Sequence, residues 1–264
     1  MQPHQAGPHL VAQEGPFSAA TASLPVLQYF PARGRAEPTR LALALAQVEW
    51  FEPPVGPILP LLRRQLDGWP FRQLPRFIDE RNGKVDIVQS MAILRHIARK
   101  FELYGGDEQE AAFIDMVVDA AQELRAQLKG VWWRRGDAGA VADYARTTLA
   151  READLLAASD QPGPGLACLE RLAADEESPW LGGCGRPSVA DVCVFDLVDC
   201  HLAAPELAGA VRERFPALMA HHRRFAAQPG VREYLSSGNR HPHVFADDWR
   251  ALQAEGAAGE EARK

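Results

Sequence analysis

The sequence predicts a small α/β domain followed by an all-helical domain, and three observations carry this. Residues 24–100 alternate short apolar runs with stretches of helical spacing. Asn82-Gly83, the favoured two-residue hairpin turn, sits between two runs of period two. Beyond Gly106 the apolar pattern is helical throughout.

The first strand runs from Val26 to Phe30 and stops at Pro31, because proline removes a ladder donor. A turn through Arg33-Gly34 leads into a helix from Ala36 to Gln47, with Leu41, Leu45 and Val48 at helical spacing and Glu37 and Arg40 expected to face water. Val48–Glu52 alternates as a second strand. The proline-rich stretch 53–60 excludes a regular element, and Leu61–Leu66 suits a short helix. Leu74–Asp79 and Val85–Val88 form the hairpin, and Met91–Lys100 a helix with Ser90 as its natural N-cap. The order is β-α-β-α-β-β-α, a parallel crossover unit, then a hairpin and a helix.

Phe101–Gly106 reads as a linker. A helix of about seven turns follows from Asp107 to Arg135, then a turn at Gly136–Gly139 and a helix from Tyr144 to Ala158. Ser188-Val-Ala-Asp191 has capping-box form and opens an almost wholly apolar helix, Val192–Leu202, expected at the centre of the helical domain. Helices are expected at Pro205–Arg214, Pro216–Ala227 and Pro229–Ser236, with a frayed tail after Gly238.

Composition excludes several classes. Net charge is -6 over 264 residues, so no basic field recruits nucleic acid. No apolar run approaches the roughly 18 residues of a membrane span. Residues 1–23 contain no Lys or Arg, which argues against a secretory signal or transit peptide and for a disordered tail. Cys168, Cys184, Cys193 and Cys200 show no metal-ligand spacing and suit a reducing compartment, the cytoplasm.

Several motifs carry a resemblance. Tyr29-Phe-Pro-Ala-Arg-Gly-Arg35, Gln73-Leu-Pro75, Gln89-Ser90 with Ala92-Ile-Leu-Arg-His96, Leu103-Tyr-Gly, Gln109-Glu-Ala-Ala with Asp115-Met-Val117, and Ser188-Val-Ala-Asp191 together resemble the cytosolic glutathione S-transferases, most of all the pi class. The resemblance spans residues 25–237. It implies the glutathione transferase fold: a thioredoxin-like α/β N-terminal domain at 24–102 and an all-α C-terminal domain at 103–238, with tails at 1–23 and 239–264. It also implies a homodimer that joins glutathione, a co-substrate and not a cofactor, to small hydrophobic electrophiles in detoxification.

The implied site follows residue by residue. Tyr29 is the catalytic residue, donating a hydrogen bond to the glutathione sulfur. A free thiol of pKa near 8.5 is only about 3% thiolate at pH 7. A bond felt only by the thiolate lowers that pKa by about 1–2 units. Glutathione is held by Arg35, Gln73, the backbone of Leu74 before a cis Pro75, Gln89 and Ser90. Glu123 reaches it across the dimer interface. Phe30, Ala32 and Trp133 line the hydrophobic substrate site, and Phe71 anchors the partner subunit. Each has a plainer structural reading: a packed strand Tyr, an ordinary N-cap at Ser90, solvated Arg35 and Glu123, a core Trp133, and a Phe71 folded on its own domain. Two other functions share these residues, a glutathione-dependent isomerase of the prostaglandin D synthase type and a non-catalytic binding or structural protein.

One segment departs from the pattern. Pi-like chains place a tryptophan and a lysine within the stretch corresponding to 52–66 to hold the glycyl carboxylate, and this chain has Pro60 and Leu66 there, with Arg63, Arg64 and Trp69 nearby. The expectation is weakened glutathione binding with Tyr29 chemistry retained. Calorimetry checks this: a dissociation constant as tight as that of ordinary family members, unmoved by replacing Arg63 and Arg64 with alanine, would contradict it.

Overall fold

The computed structural model describes residues 24–53, 71, 73–81, 84–133, 137–149 and 165–243, with the side chain of Trp133 excepted. The chain divides into two compact units, one formed by the described parts of 1–101 and 228–264, the other by those of 102–227.

In the first unit, β1 (Val26–Gln28), β2 (Arg76–Asp79) and β3 (Val85–Val88) form an antiparallel sheet in the order β1-β2-β3. Gln28 pairs with Arg76, and Arg76 with Val88, closing one end of the sheet. The expected second strand is reduced to one parallel bridge, Val26 to Phe51, held by Leu27 N–H to Phe51 C=O at 2.9 Å and Phe51 N–H to Pro25 C=O at 2.9 Å. The crossover unit is thus present in its simplest form. The turn at Asn82-Gly83 and the stretch 54–70 lie outside the described residues.

A 3-10 turn, Gly34–Ala36, feeds α1 (Glu37–Leu45), and α2 (Ser90–Lys100) follows β3. Leu27 and Phe77 are buried, as are Leu41, Leu43, Ile93, Leu94 and Ile97 of α1 and α2. Two expectations are corrected here. Glu37 and Arg40 do not face water but are fully buried. Their helix carries the buried Leu41, Ala42, Leu43 and Ala44 around its whole circumference, which leaves no polar face for them to occupy. Ser90 is not the N-cap of α2 but its first residue: the cap is Gln89, at φ 77, with no side-chain capping bond.

The second unit contains α3 (Glu108–Trp133), α4 (Ala138–Thr147), α5 (Leu166–Ala173), α6 (Val189–Ala203), α7 (Pro205–Arg214) and α8 (Pro216–Ala226); α3, α7 and α8 pack on α6, α5 packs on α8, and α4 packs on α3 and α7. Val192, Val194, Leu197 and Val198 are all buried, so α6 is apolar on every side, as a central helix must be. Its N-terminus carries the full capping box: Asp191 Oδ2 accepts from Ser188 N–H at 2.8 Å, and Ser188 Oγ accepts from Ala190 N–H at 3.2 Å. The other Asp191 oxygen takes Leu181 N–H at 2.8 Å and pairs with His221 at 2.9 Å, tying the loop before α6 to α8. α4 starts six residues ahead of the expected Tyr144, because Asp137 caps it through Ala140 N–H at 3.0 Å. Thus 137–139 form the cap and first residues of a helix and not simply a turn. The helix α5 had no counterpart in the sequence reading.

The last helix, α9 (Pro229–Ser236), packs on α1 and belongs to the first unit, not to the 103–238 domain. The approach is close: a Cβ on Gly230 would stand 2.0 Å from Ala44 C=O, so only glycine fits. Residues 239–243 are not frayed, since His241 and Pro242 bond to Arg33 in the turn before α1 and Arg240 bonds to Glu37 at its start. All four cysteines are free thiols. Among the described residues no helix is long and apolar enough to cross a membrane.

Candidate active site

Tyr29, Pro75 and Gln89 are each the next residue beyond the row Gln28–Arg76–Val88. The sheet register therefore delivers all three to the same end of the first unit. The Leu74–Pro75 peptide is cis. Pro75 is buried and Leu74 half-buried, while Gln73 and Gln89 are exposed and joined by an amide–amide bond, Gln89 Nε2 to Gln73 Oε1 at 2.8 Å. Ile93 N–H makes the first helical bond of α2, to Gln89 C=O. The N–H groups of Ser90, Met91 and Ala92 thus precede any intrahelical acceptor and mark an anion-favouring helix start.

The Tyr29 hydroxyl accepts a hydrogen bond from Arg35 N–H at 3.0 Å. A phenol has one proton to give, and accepting an N–H polarises that proton for donation elsewhere. The turn needs glycine to make this contact: Gly34 lies at φ 44, and a Cβ there would meet the Tyr29 oxygen at 2.5 Å. The Tyr29 ring is further fixed by Phe30, edge-on at 5.4 Å, and by the Arg40 guanidinium, 5.9 Å from its centroid. Ala32 is buried, Phe30 half-buried and Arg35 exposed.

Beneath the turn lies a buried ionic network that sequence reasoning missed. Arg40 binds Glu52 in bidentate fashion, 2.8 Å on each arm, and its remaining nitrogen donates to Ala32 C=O at 2.8 Å and Arg33 C=O at 3.3 Å. Glu37 lies 3.4 Å from the same nitrogen and also accepts from the Tyr234 hydroxyl at 3.0 Å and from Arg240 at 2.8 Å. Trp50 Nε1 donates to Glu52 at 2.8 Å, and His241 stands 3.7 Å from the other Glu52 oxygen. Burial alone would push the Glu52 carboxyl up. The Arg40 charge and the bonds from His241, Arg40 and Trp50 outweigh it and hold Glu52 down at about 2. Burial likewise opposes the charge on Arg40, and Glu52 more than offsets it, so Arg40 is held above its ordinary value. Burial and the Glu37 charge push the Tyr234 phenol well up, keeping it a neutral donor.

Glu123 is exposed on α3, and Phe71 is 60% exposed. Phe71 belongs to the first unit and Glu123 to the second. The Trp133 side chain, Pro60, Arg63, Arg64, Leu66 and Trp69 lie outside the described residues.

The sign of the pH effect follows from Glu52. Its folded value lies below the ordinary 4.5, so its contribution to stability is complete above about 4.5 and fades as pH falls toward about 2. Glu52→Gln leaves Arg40 short of charge in a buried site and should cost about 3–5 kcal/mol at pH 7. In urea unfolding, the gap between variant and parent should shrink as pH drops through that window. A gap constant with pH would contradict the assignment.

Comparison with known proteins identifies the family. The family described as "Glutathione S-transferase, C-terminal domain" matches residues 148–238. Glutathione S-transferase P 1 of Xenopus laevis is 30% identical over 227 residues, covering 81% of this chain and 93% of that protein. Glutathione S-transferase P of Homo sapiens is 31% identical over 219 residues, covering 79% and 90%. The solved pi-class glutathione S-transferase of Onchocerca volvulus superposes with a TM-score of 0.64 at 27% identity, covering 80% of this chain and 91% of its own. The chain belongs to the glutathione S-transferase family.

Proposed function

We propose that this chain conjugates the glutathione thiolate to small hydrophobic electrophiles, with glutathione as co-substrate and no bound cofactor. The observation that carries the reading is the Arg35 N–H bond to the Tyr29 hydroxyl. With one lone pair engaged, the phenol directs its proton to whatever occupies the end of the sheet. A thiolate there receives a charge-assisted bond that the thiol does not, worth about 1.5–3 kcal/mol. The thiolate then attacks the electrophilic carbon and the leaving group departs with its electron pair.

The remaining residues would orient the tripeptide. Leu74 offers its backbone N–H and C=O to the cysteinyl portion, as an added strand would. The open N–H groups at the start of α2, with the Ser90 hydroxyl and the Gln73–Gln89 amides, suit the γ-glutamyl carboxylate. Arg35 would supply a cation to the same carboxylate. The free thiols suit a reducing compartment such as the cytoplasm. Initial rates with a chloronitrobenzene test the role of Tyr29: Tyr29→Phe should lower kcat/KM about 10- to 100-fold at neutral pH while still binding glutathione. Equal rates would sink the reading.

The active form would be a two-fold dimer. Phe71 is a large apolar side chain exposed on a loop, the kind of residue that fills a partner's pocket. Glu123 and Trp133 would then complete the glutathione and electrophile sites. Sedimentation should give about twice the 29.0 kDa chain mass, and Phe71→Ser should weaken association about 30-fold or more. A native monomer at micromolar concentration would contradict this.

A further inference from the structure

The segment after α9 reaches back to the turn that carries Tyr29. Arg33 N–H donates to Pro242 C=O at 3.1 Å, and Arg33 Nε to His241 C=O at 2.8 Å. Arg240 Nε meets Glu37 Oε1 at 2.8 Å, and His241 Nε2 lies 3.7 Å from Glu52. On its inner side the same turn is held by Arg40, through Ala32 C=O and Arg33 C=O. The turn is therefore gripped from both sides, two residues from the Arg35 N–H that holds the Tyr29 hydroxyl.

Charge balance explains why the outer grip is needed. Glu37 and Glu52 are two carboxylates in one buried cluster, and Arg40 supplies a single compensating charge. Arg240 brings the second, to the Glu37 oxygen that Arg40 and Tyr234 do not use. Without it, Glu37 keeps only the Tyr234 hydroxyl and a guanidinium already engaged by Glu52, and a buried surplus charge relaxes by moving its neighbours or admitting water. The first neighbour to move is the turn, because Glu37 N–H bonds to Arg33 C=O at 3.0 Å.

The geometry points to residues 240–242 as a positioning strap for the catalytic turn. Arg240 anchors it by neutralising Glu37, and the His241 and Pro242 carbonyls clamp Arg33, so that Arg35 N–H stays on the Tyr29 hydroxyl. Arg240 is a positioning residue, acting through Arg33 and Arg35. This role rests on the transferase reading of Tyr29.

The test uses the full chain with Arg240→Ala and Arg240→Lys, alone and combined with Tyr29→Phe. Amide hydrogen exchange at Arg35 should quicken about tenfold in Arg240→Ala, while Leu43 and Ala44 exchange as in the parent. Arg240→Lys should restore part of the protection. Turnover should fall in kcat about 5- to 20-fold, as a misplaced donor requires, and Arg240→Ala should add nothing once Tyr29 is Phe. Unchanged exchange at Arg35, equal acceleration throughout α1, or the same kcat loss with and without Tyr29 would each overturn the strap. A native chain with no turnover would instead overturn the transferase reading, and exchange at Arg35 would still decide whether the strap holds the turn.

Discussion

The interaction on which the first unit depends is the buried Arg40 guanidinium between Glu37 and Glu52. One planar cation binds one carboxylate side-on through two nitrogens, approaches a second, and holds two backbone carbonyls of the Tyr29 turn. Such a cluster is weak support for stability in itself, because removing charges from water costs several kcal/mol per ion. Its effect here is geometric. The partners come from the turn, from α1, from the bridged segment near Phe51 and from the chain after α9, so none of these can shift without costing a buried charge one of its partners.

That constraint explains the polar surroundings of an otherwise apolar interior. Tyr234 and Trp50 are bulky aromatics, yet each points its one donor into the cluster. Gly230 lets α9 approach α1 closely enough for Tyr234 to reach Glu37. Gly34 does the same at the front, where any side chain would displace the Tyr29 hydroxyl from Arg35 N–H. Two glycines and one arginine thus set the position of a single phenol.

Much of this was legible in the sequence, for identifiable reasons. Pro205, Pro216 and Pro229 each sit at the first helical position, where fixed φ and a missing N–H cost nothing, so those starts were readable to the residue. The Ser188–Asp191 box is local and was readable too. The elements brought to the sheet end follow from strand alternation and the hairpin. What was not legible depends on partners remote in sequence. Glu37 and Arg40 looked solvent-facing because their compensation comes from Glu52 and from Arg240, the latter 203 positions from Glu37. Gln89 as the cap of α2 was hidden because a serine followed it and a non-glycine residue at φ 77 is uncommon. The short α5 was masked by the glycine–proline run before it.

Activation of the thiol turns on one bond made by one phenol, so the most direct measurement is the titration of the glutathione thiol on the protein. Ultraviolet thiolate absorbance of bound glutathione, followed against pH, should give a pKa about 1–2 units below that of free glutathione in the native chain, and a value close to the free one in Tyr29→Phe. A native value equal to that of free glutathione, or a lowered value that survives the loss of the Tyr29 hydroxyl, would contradict it.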